Sequence, residues 1–172
     1  MIRKAAANDI PRITEIYKNV IHSDNNMTRW SEDVYPTEDT ARKALARGDL
    51  FVYEDDAAGR VLATAIINRI QGDAYSKCSW RFPAADNEVM VLHTLAVDPE
   101  ASHKGIGKQI LKFYEEYALD NGCKVLRMDT GKQNTIARGF YEKSGFIESG
   151  LVYGTANGIN DTWLIMLEKK IV

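Results

Sequence analysis

Leu95-Ala96-Val97-Asp98-Pro99-Glu100-Ala101-Ser102-His103-Lys104-Gly105-Ile106-Gly107-Lys108 is the stretch on which the reading of this chain turns. An apolar run is stopped by Asp98-Pro99, a polar turn follows, and Gly105-Ile106-Gly107 opens a helix. Two glycines let the backbone approach a ligand closely, and the first N–H groups of a helix have no carbonyl partner of their own. The positive pole of the helix dipole lies at the same end, so the segment has the makings of an anion site. Lys104, Lys108 and Lys112 add charge, and no acid falls between residues 101 and 112. Two nucleotide signatures fail here: a Walker loop needs glycine where Ser102 stands, and a dinucleotide fingerprint needs one where Ile110 stands.

Working outward, Val89–Val97 reads as a strand and 105–121 as an amphipathic helix. Ile106, Ile110, Phe113, Tyr114, Tyr117 and Ala118 recur along one face of that helix, and Gly122 stops it. Residues 124–130 read as a strand, 134–143 as a short helix, and 147–153 and 161–167 as closing strands. Toward the N-terminus, a strand over 2–6 precedes a helix capped by Asn8 or Asp9, with Ile10, Ile13, Ile16, Tyr17 and Val20 at helical spacing. A second helix starts at Thr37 and stops at Gly48; residues 50–53 and 61–70 form a hairpin. The stretch 72–87 shows no element of its own, and loops that long are functional or mobile. The order β-α-α-β-β-β-α-β-α-β-β predicts a mixed α/β (α+β) domain: a largely antiparallel central sheet of about seven strands flanked by about four helices. No repeat or linker divides the chain, so a single domain over 1–172 is expected.

A second segment narrows the chemistry: Asn134-Thr135-Ile136-Ala137-Arg138-Gly139-Phe140-Tyr141-Glu142-Lys143-Ser144-Gly145-Phe146. Leu-x-Val-x-Pro, then Lys-Gly-Ile-Gly-Lys, then Asn-x-x-Ala-x-x-Phe-Tyr-Glu-Lys-x-Gly-Phe resembles the GCN5-related N-acetyltransferases, the GNAT superfamily. The element order matches that fold along nearly the whole chain. The resemblance implies an acetyl-CoA-dependent enzyme that acetylates a primary amine of a small molecule or peptide by direct transfer in a ternary complex. It implies that strands four and five splay apart, with the pantetheine arm paired to the main chain of Leu95, Ala96 and Val97. The pyrophosphate would sit on His103, Lys104, Gly105, Ile106, Gly107 and Lys108; Asn134 would contact the cofactor arm, and Tyr141 would lie near the sulfur as its proton donor. One departure stands out: Ser102 occupies a position where the family usually has Gln or Arg. Backbone N–H groups do most of the phosphate binding in such a turn, and His103 and Lys104 supply charge.

Acetyl transfer needs a neutral amine, and an alkyl ammonium has a pKa of about 10.4, so a base or water relay must remove a proton. Glu88, at the start of strand four, and Asp129, at the end of strand five, are the carboxylate candidates; His93 shares a face with Val91, Leu95 and Val97 and reads as a wall residue. Main-chain N–H groups near Leu95–Val97 are the natural donors to the developing oxyanion. Trp30, Tyr35 and Trp80, with His93, are candidate acceptor-binding residues.

Composition bounds the alternatives. The net charge of −2 argues against a nucleic-acid partner, no apolar run approaches a membrane span, and Cys78 and Cys123 form neither a disulfide framework nor a metal-ligand spacing. The start, Met1-Ile2-Arg3-Lys4-Ala5, lacks an apolar signal core, so a cytoplasmic location is expected, without a metal. Residues 24–56 hold nine acids against four Lys/Arg, which would suit a cationic acceptor. The other function class consistent with these residues is a non-catalytic acetyl-CoA or CoA sensor of the same fold. A homodimer is common in the family, and no seam is legible.

Overall fold

A computed structural model describes residues 1–24 and 26–172. Its strands are β1 (Ile2–Lys4), β2 (Leu50–Asp55), β3 (Arg60–Asn68), β4 (Val89–Val97), β5 (Val125–Gly131), β6 (Ile147–Ala156) and β7 (Ile159–Lys170). The helices are α1 (Ile10–Ile21), α2 (Glu38–Arg47), α3 (Asp73–Ser76), α4 (Ile106–Asp120) and α5 (Thr135–Lys143). The strands form one sheet in the order β1-β2-β3-β4-β5-β7-β6. Pairs β1–β2, β2–β3, β5–β7 and β6–β7 are antiparallel, and β4–β5 is parallel. The mixed, largely antiparallel sheet expected from the sequence is therefore present. The fifth helix is α3, a single turn inside the stretch that showed no periodicity, because four residues are too few to display one. β7 also runs to Lys170, beyond its apolar core, because main-chain pairing with β5 recruits polar residues that pattern alone leaves out.

The chain divides into two compact units. The first comprises Met1–Asn26, Trp30–Ile67 and His93–Phe113. Its core joins Ile10, Ile13, Ile16 and Tyr17 of α1 and Ala41 and Ala44 of α2 to Leu50, Val52, Val61, Ile66 and Ala96. The punctuation predicted for α2 holds: Thr37 caps it by accepting from the Thr40 N–H (3.3 Å), and Gly48 ends it at φ +76°. Asp9 precedes α1 without a capping hydrogen bond, because its carboxylate is taken by Arg3 and the Ala6 N–H. Buried Asp98 closes the end of β4. Its carboxylate is ion-paired with Arg12, lies 3.7 Å from Arg60 and accepts from the Glu100 N–H at 3.2 Å.

The second unit comprises Met27–Arg29, Asn68–Leu92 and Tyr114–Val172. Its core gathers Ala74, Tyr75, Val89, Val91, Val125, Val152, Leu164 and Met166. The β4–β5 ladder is short: Val89, Met90 and Val91 face Val125, Leu126 and Arg127, and pairing ends there. Wholly buried Tyr114 marks that end, its hydroxyl placed to donate to the carbonyls of Met90 (2.7 Å) and Arg127 (3.0 Å). A phenol from a helix thus supplies a donor where a ladder stops. Among the described residues, no helix is long and apolar enough to cross a membrane.

Candidate active site

In the first unit, the turn after β4 folds as a short 3₁₀ segment, Pro99–Ala101, and then four exposed residues before α4. His103 stands at φ +65° and Gly105 at φ +75°, which bends the main chain so that successive N–H groups converge. The Gly105 carbonyl accepts from the Gln109 N–H (3.2 Å), making Gly105 the last residue before the helix. The N–H groups of Ile106, Gly107 and Lys108 therefore belong to the unpaired first turn. A Cβ built on Gly105 meets no atom within 4 Å, so the space above the turn is open to a ligand. The residues present fit a diphosphate: free N–H groups, a helix pole and lysine charge converge on one exposed turn.

Upstream on the same strand, Thr94 adopts φ +36°, in the left-handed region that a β-branched residue rarely enters. The strand's regular alternation is broken at that residue, three positions past the last β4–β5 pair. Its hydroxyl is hydrogen-bonded to the Tyr35 hydroxyl, and Tyr35 meets Trp30 edge-on at 6.2 Å between centroids. Thr94 and Ala96 point into the unit, whereas His93, Leu95 and Val97 keep partly exposed side chains. Two acceptor-site candidates, Trp30 and Tyr35, are thus brought to the strand that carries the third, His93.

In the second unit, Asp129 lies on β5, two residues past the end of the β4–β5 ladder. Its Oδ1 accepts from the Tyr75 hydroxyl at 2.8 Å, and among the described residues it forms no ion pair. Burial pushes its pKa up, and the Tyr75 hydrogen bond acts in the opposite direction. Glu88 is the contrast. It is ion-paired with Lys124 and accepts from the Ala85 N–H (3.2 Å), and both partners hold its carboxyl below the usual range. Glu88 precedes the first ladder pair, Val89 with Val125, and Asp129 lies four residues beyond it. At ~3.3 Å per residue, the five residues between them separate the two positions by roughly 17 Å along the strands. The structure does not bring them together.

Tyr141, on α5, is nearly buried and packs between Phe140 (5.3 Å) and Phe146 (6.1 Å). Its pKa is pushed far above the ordinary phenol value, first by burial and then by the negative charge of Asp129. Those two sequence candidates do act on one another. Asn134 caps α5, its Oδ1 accepting from the Ala137 N–H at 3.2 Å, which leaves its amide NH₂ directed elsewhere. Trp80 is partly buried with its ring 5.6 Å from that of Tyr75, the residue whose hydroxyl bonds Asp129. Tyr75 and Thr94 are the residues that sequence reasoning missed. A tyrosine in an aperiodic stretch and a threonine in an apolar strand carry no signal until the chain is folded.

Five of the nine acids of residues 24–56 stand in the following ion pairs. Glu38 meets Arg42 (2.5 Å), Asp39 meets Lys43 (2.7 Å), Asp49 meets Arg47 (2.8 Å) and Glu54 meets Arg3 (2.5 Å). Glu32 is held by Lys18 (3.3 Å) and His22. Three of those pairs use cations of the same segment, so its excess of acid over Lys/Arg is only partly offset, by Arg3 and Lys18.

The strands thus make one seven-stranded mixed sheet, with a Gly-x-Gly turn after the fourth. The profile of the Acetyltransferase (GNAT) family matches residues 16–146, and the chain belongs to that family. An uncharacterized N-acetyltransferase of Methanocaldococcus jannaschii is 30% identical over 92 residues, 54% of this chain and 37% of that protein. The S-(2-succino)cysteine N-acetyltransferase of Bacillus subtilis is 27% identical over 114 residues, 65% of this chain and 62% of its own length. The chain thus spans well under half of the first relative and less than two thirds of the second. Among solved structures, yncA of Salmonella typhimurium, with its cofactor acetyl-CoA, superposes with a TM-score of 0.71 at 20% identity, covering 100% of this chain and 94% of that one. That likeness is one of fold.

Proposed function

We propose that this protein moves an acetyl group from acetyl-CoA to the primary amine of a small molecule or peptide, by direct transfer in a ternary complex. The observation that carries the reading is the turn 102–108, whose left-handed His103 and Gly105 leave the first N–H groups of α4 for a diphosphate. In this reading His103, Lys104, Gly105, Ile106, Gly107 and Lys108 hold the pyrophosphate; Leu95, Ala96 and Val97 pair with the pantetheine, and the Asn134 amide contacts it. Acetyl-CoA supplies the activated acyl group as a thioester.

Asp129 is the base. Its raised pKa and, among the described residues, its lack of a cation partner suit proton uptake, whereas Glu88 is committed to Lys124. It takes the ammonium proton, directly or through water. Main-chain N–H groups at Leu95–Val97 bear the charge that grows on the carbonyl oxygen as the carbon–nitrogen bond forms. Tyr141 donates a hydrogen bond to the sulfur as the carbon–sulfur bond breaks. Its pKa lies too high for outright proton transfer to a thiolate of pKa about 8.5, so it stabilises the leaving group and solvent supplies the final proton. The second proton on nitrogen passes to water as the amide forms. Trp30, Tyr35, Trp80 and His93 are the residues assigned to the acceptor.

Thiol release from acetyl-CoA across a panel of amino acids, polyamines and peptide N-termini tests the proposal. Acceptor-dependent release is expected. Tight CoA binding with no active acceptor would favour a sensor instead.

A further inference from the structure

The connection between β3 and β4 is built as a fixed wall. Arg127, almost fully buried, donates to the Gln71 side-chain oxygen (2.7 Å) and the Phe82 carbonyl (3.2 Å), and its guanidinium lies 4.2 Å from the centre of the Trp80 ring. Glu168, with no exposed surface, accepts from the main-chain N–H groups of Arg81 (2.6 Å) and Phe82 (3.2 Å). Trp80 Nε1 donates to the Tyr75 carbonyl at 3.0 Å. These contacts converge on Tyr75, itself buried, whose hydroxyl donates to Asp129 Oδ1. Burying an arginine and a glutamate costs desolvation energy that apolar side chains would avoid. What the arrangement gains is a fixed position for one phenol.

We infer that Tyr75 is the positioning residue of the reaction: it ties down Oδ1 of Asp129, fixes the carboxylate plane and leaves Oδ2 to take the amine proton. The inference rests on the proposed role of Asp129 as base. Tyr75 also counters burial, since its hydrogen bond is what draws the Asp129 pKa back down. The titratable groups that act with Asp129 are Tyr75 from α3 and Tyr141 from α5. Arg127, on the same strand, has its electrostatic partners in Glu168, Cys78, Asp86 and Tyr75.

Tyr75→Phe keeps the ring in the core and removes only the hydroxyl. With the best acceptor of the amine panel, kcat at pH 7 is expected to fall by about tenfold or more, as for loss of a hydrogen bond to a charged group. The KM for acetyl-CoA should stay within about twofold of wild type. The acidic limb of kcat should move to higher pH, so that activity recovers as pH rises; Asp129→Asn should show no such recovery. A carbon-13 titration of the Asp129 carboxyl, which needs no turnover, should show the same upward shift in Tyr75→Phe. If Asp129→Asn keeps the wild-type pH profile, the base assignment fails and the inference with it. If Asp129→Asn is inactive while Tyr75→Phe leaves both limb and titration unmoved, the inference alone is overturned. Should Tyr75→Phe not fold, Trp80→Phe, which removes the tether to the Tyr75 carbonyl, is expected to move the limb the same way by less; an unmoved limb there overturns the inference.

Discussion

The hydroxyls of Tyr35 and Thr94 are bonded to one another, and Thr94 is held at φ +36° inside β4. A non-glycine residue in the left-handed region carries strain on the order of 1–3 kcal/mol and persists only where its surroundings over-determine it. Tyr35 is such a surrounding. Its ring is fixed against Trp30, and its hydroxyl engages the residue just before the main chain assigned to the acetyl carbonyl.

Tyr35→Phe is therefore expected to lower kcat by about tenfold through looser oxyanion donors, with the KM for acetyl-CoA nearly unchanged. Loss of one hydrogen bond should lower stability by about 1 kcal/mol, or roughly 2–4 °C in Tm. Steady-state kinetics with a thermal melt check both. A lowered Tm at wild-type kcat would make the contact structural only.

Asp129→Asn should reduce kcat by about 10²–10⁴-fold, the usual weight of a general base. Stability should move the other way. A carboxyl whose folded pKa is raised contributes stability that is present below its unfolded pKa and lost as pH rises through the folded one. At pH 7 the asparagine variant should melt at or above wild type, and the difference should close in acid. Glu88→Gln is the control, with kcat expected within about twofold of wild type, as for a surface substitution. A collapse of activity in Glu88→Gln instead would return the base to strand four's start.

Tyr141→Phe should lower kcat by about tenfold and leave CoA affinity intact, because the hydrogen bond to sulfur strengthens only as charge develops there. With its pKa raised by burial and by Asp129, the phenol stays protonated through the working range. Wild type and variant should therefore share the shape of their alkaline pH profile up to about pH 10, the ordinary phenol value. An alkaline limb that vanishes in the variant would assign Tyr141 to outright proton transfer.

Tyr114→Phe removes the donor shared by the Met90 and Arg127 carbonyls at the end of the β4–β5 ladder. A buried acceptor left unsatisfied costs about 1–3 kcal/mol, which denaturant unfolding should register. A change below about 0.5 kcal/mol would mean that water replaces the phenol.

Gly105→Val should weaken CoA by at least about tenfold in calorimetry, equivalent to ~1.4 kcal/mol. Gly105 occupies φ +75° with open space above it, so a branched side chain is both strained there and set where the phosphates would lie. Unchanged affinity would remove the turn from the binding site.

The amino-acid sequence by itself determined the element order apart from the single turn α3, the helix punctuation at Thr37 and Gly48, the strand Val89–Val97 and the glycine-bearing turn from His103 to Lys108. Each of these rests on local chemistry: hydrophobic period, capping side chains, glycine in a left-handed turn. It also marked Asp129 and Tyr141, and set Glu88 beside them as an equal. Only the tertiary structure separated the carboxylates, because a pKa depends on burial and on partners distant in sequence: Lys124 for Glu88, 36 residues away, and Tyr75 for Asp129, 54 away. It likewise turned an aperiodic stretch into a wall around Tyr75, bent β4 at Thr94 and put part of the acidic charge of residues 24–56 into ion pairs. Such properties arise from contacts between segments, and no single segment carries them.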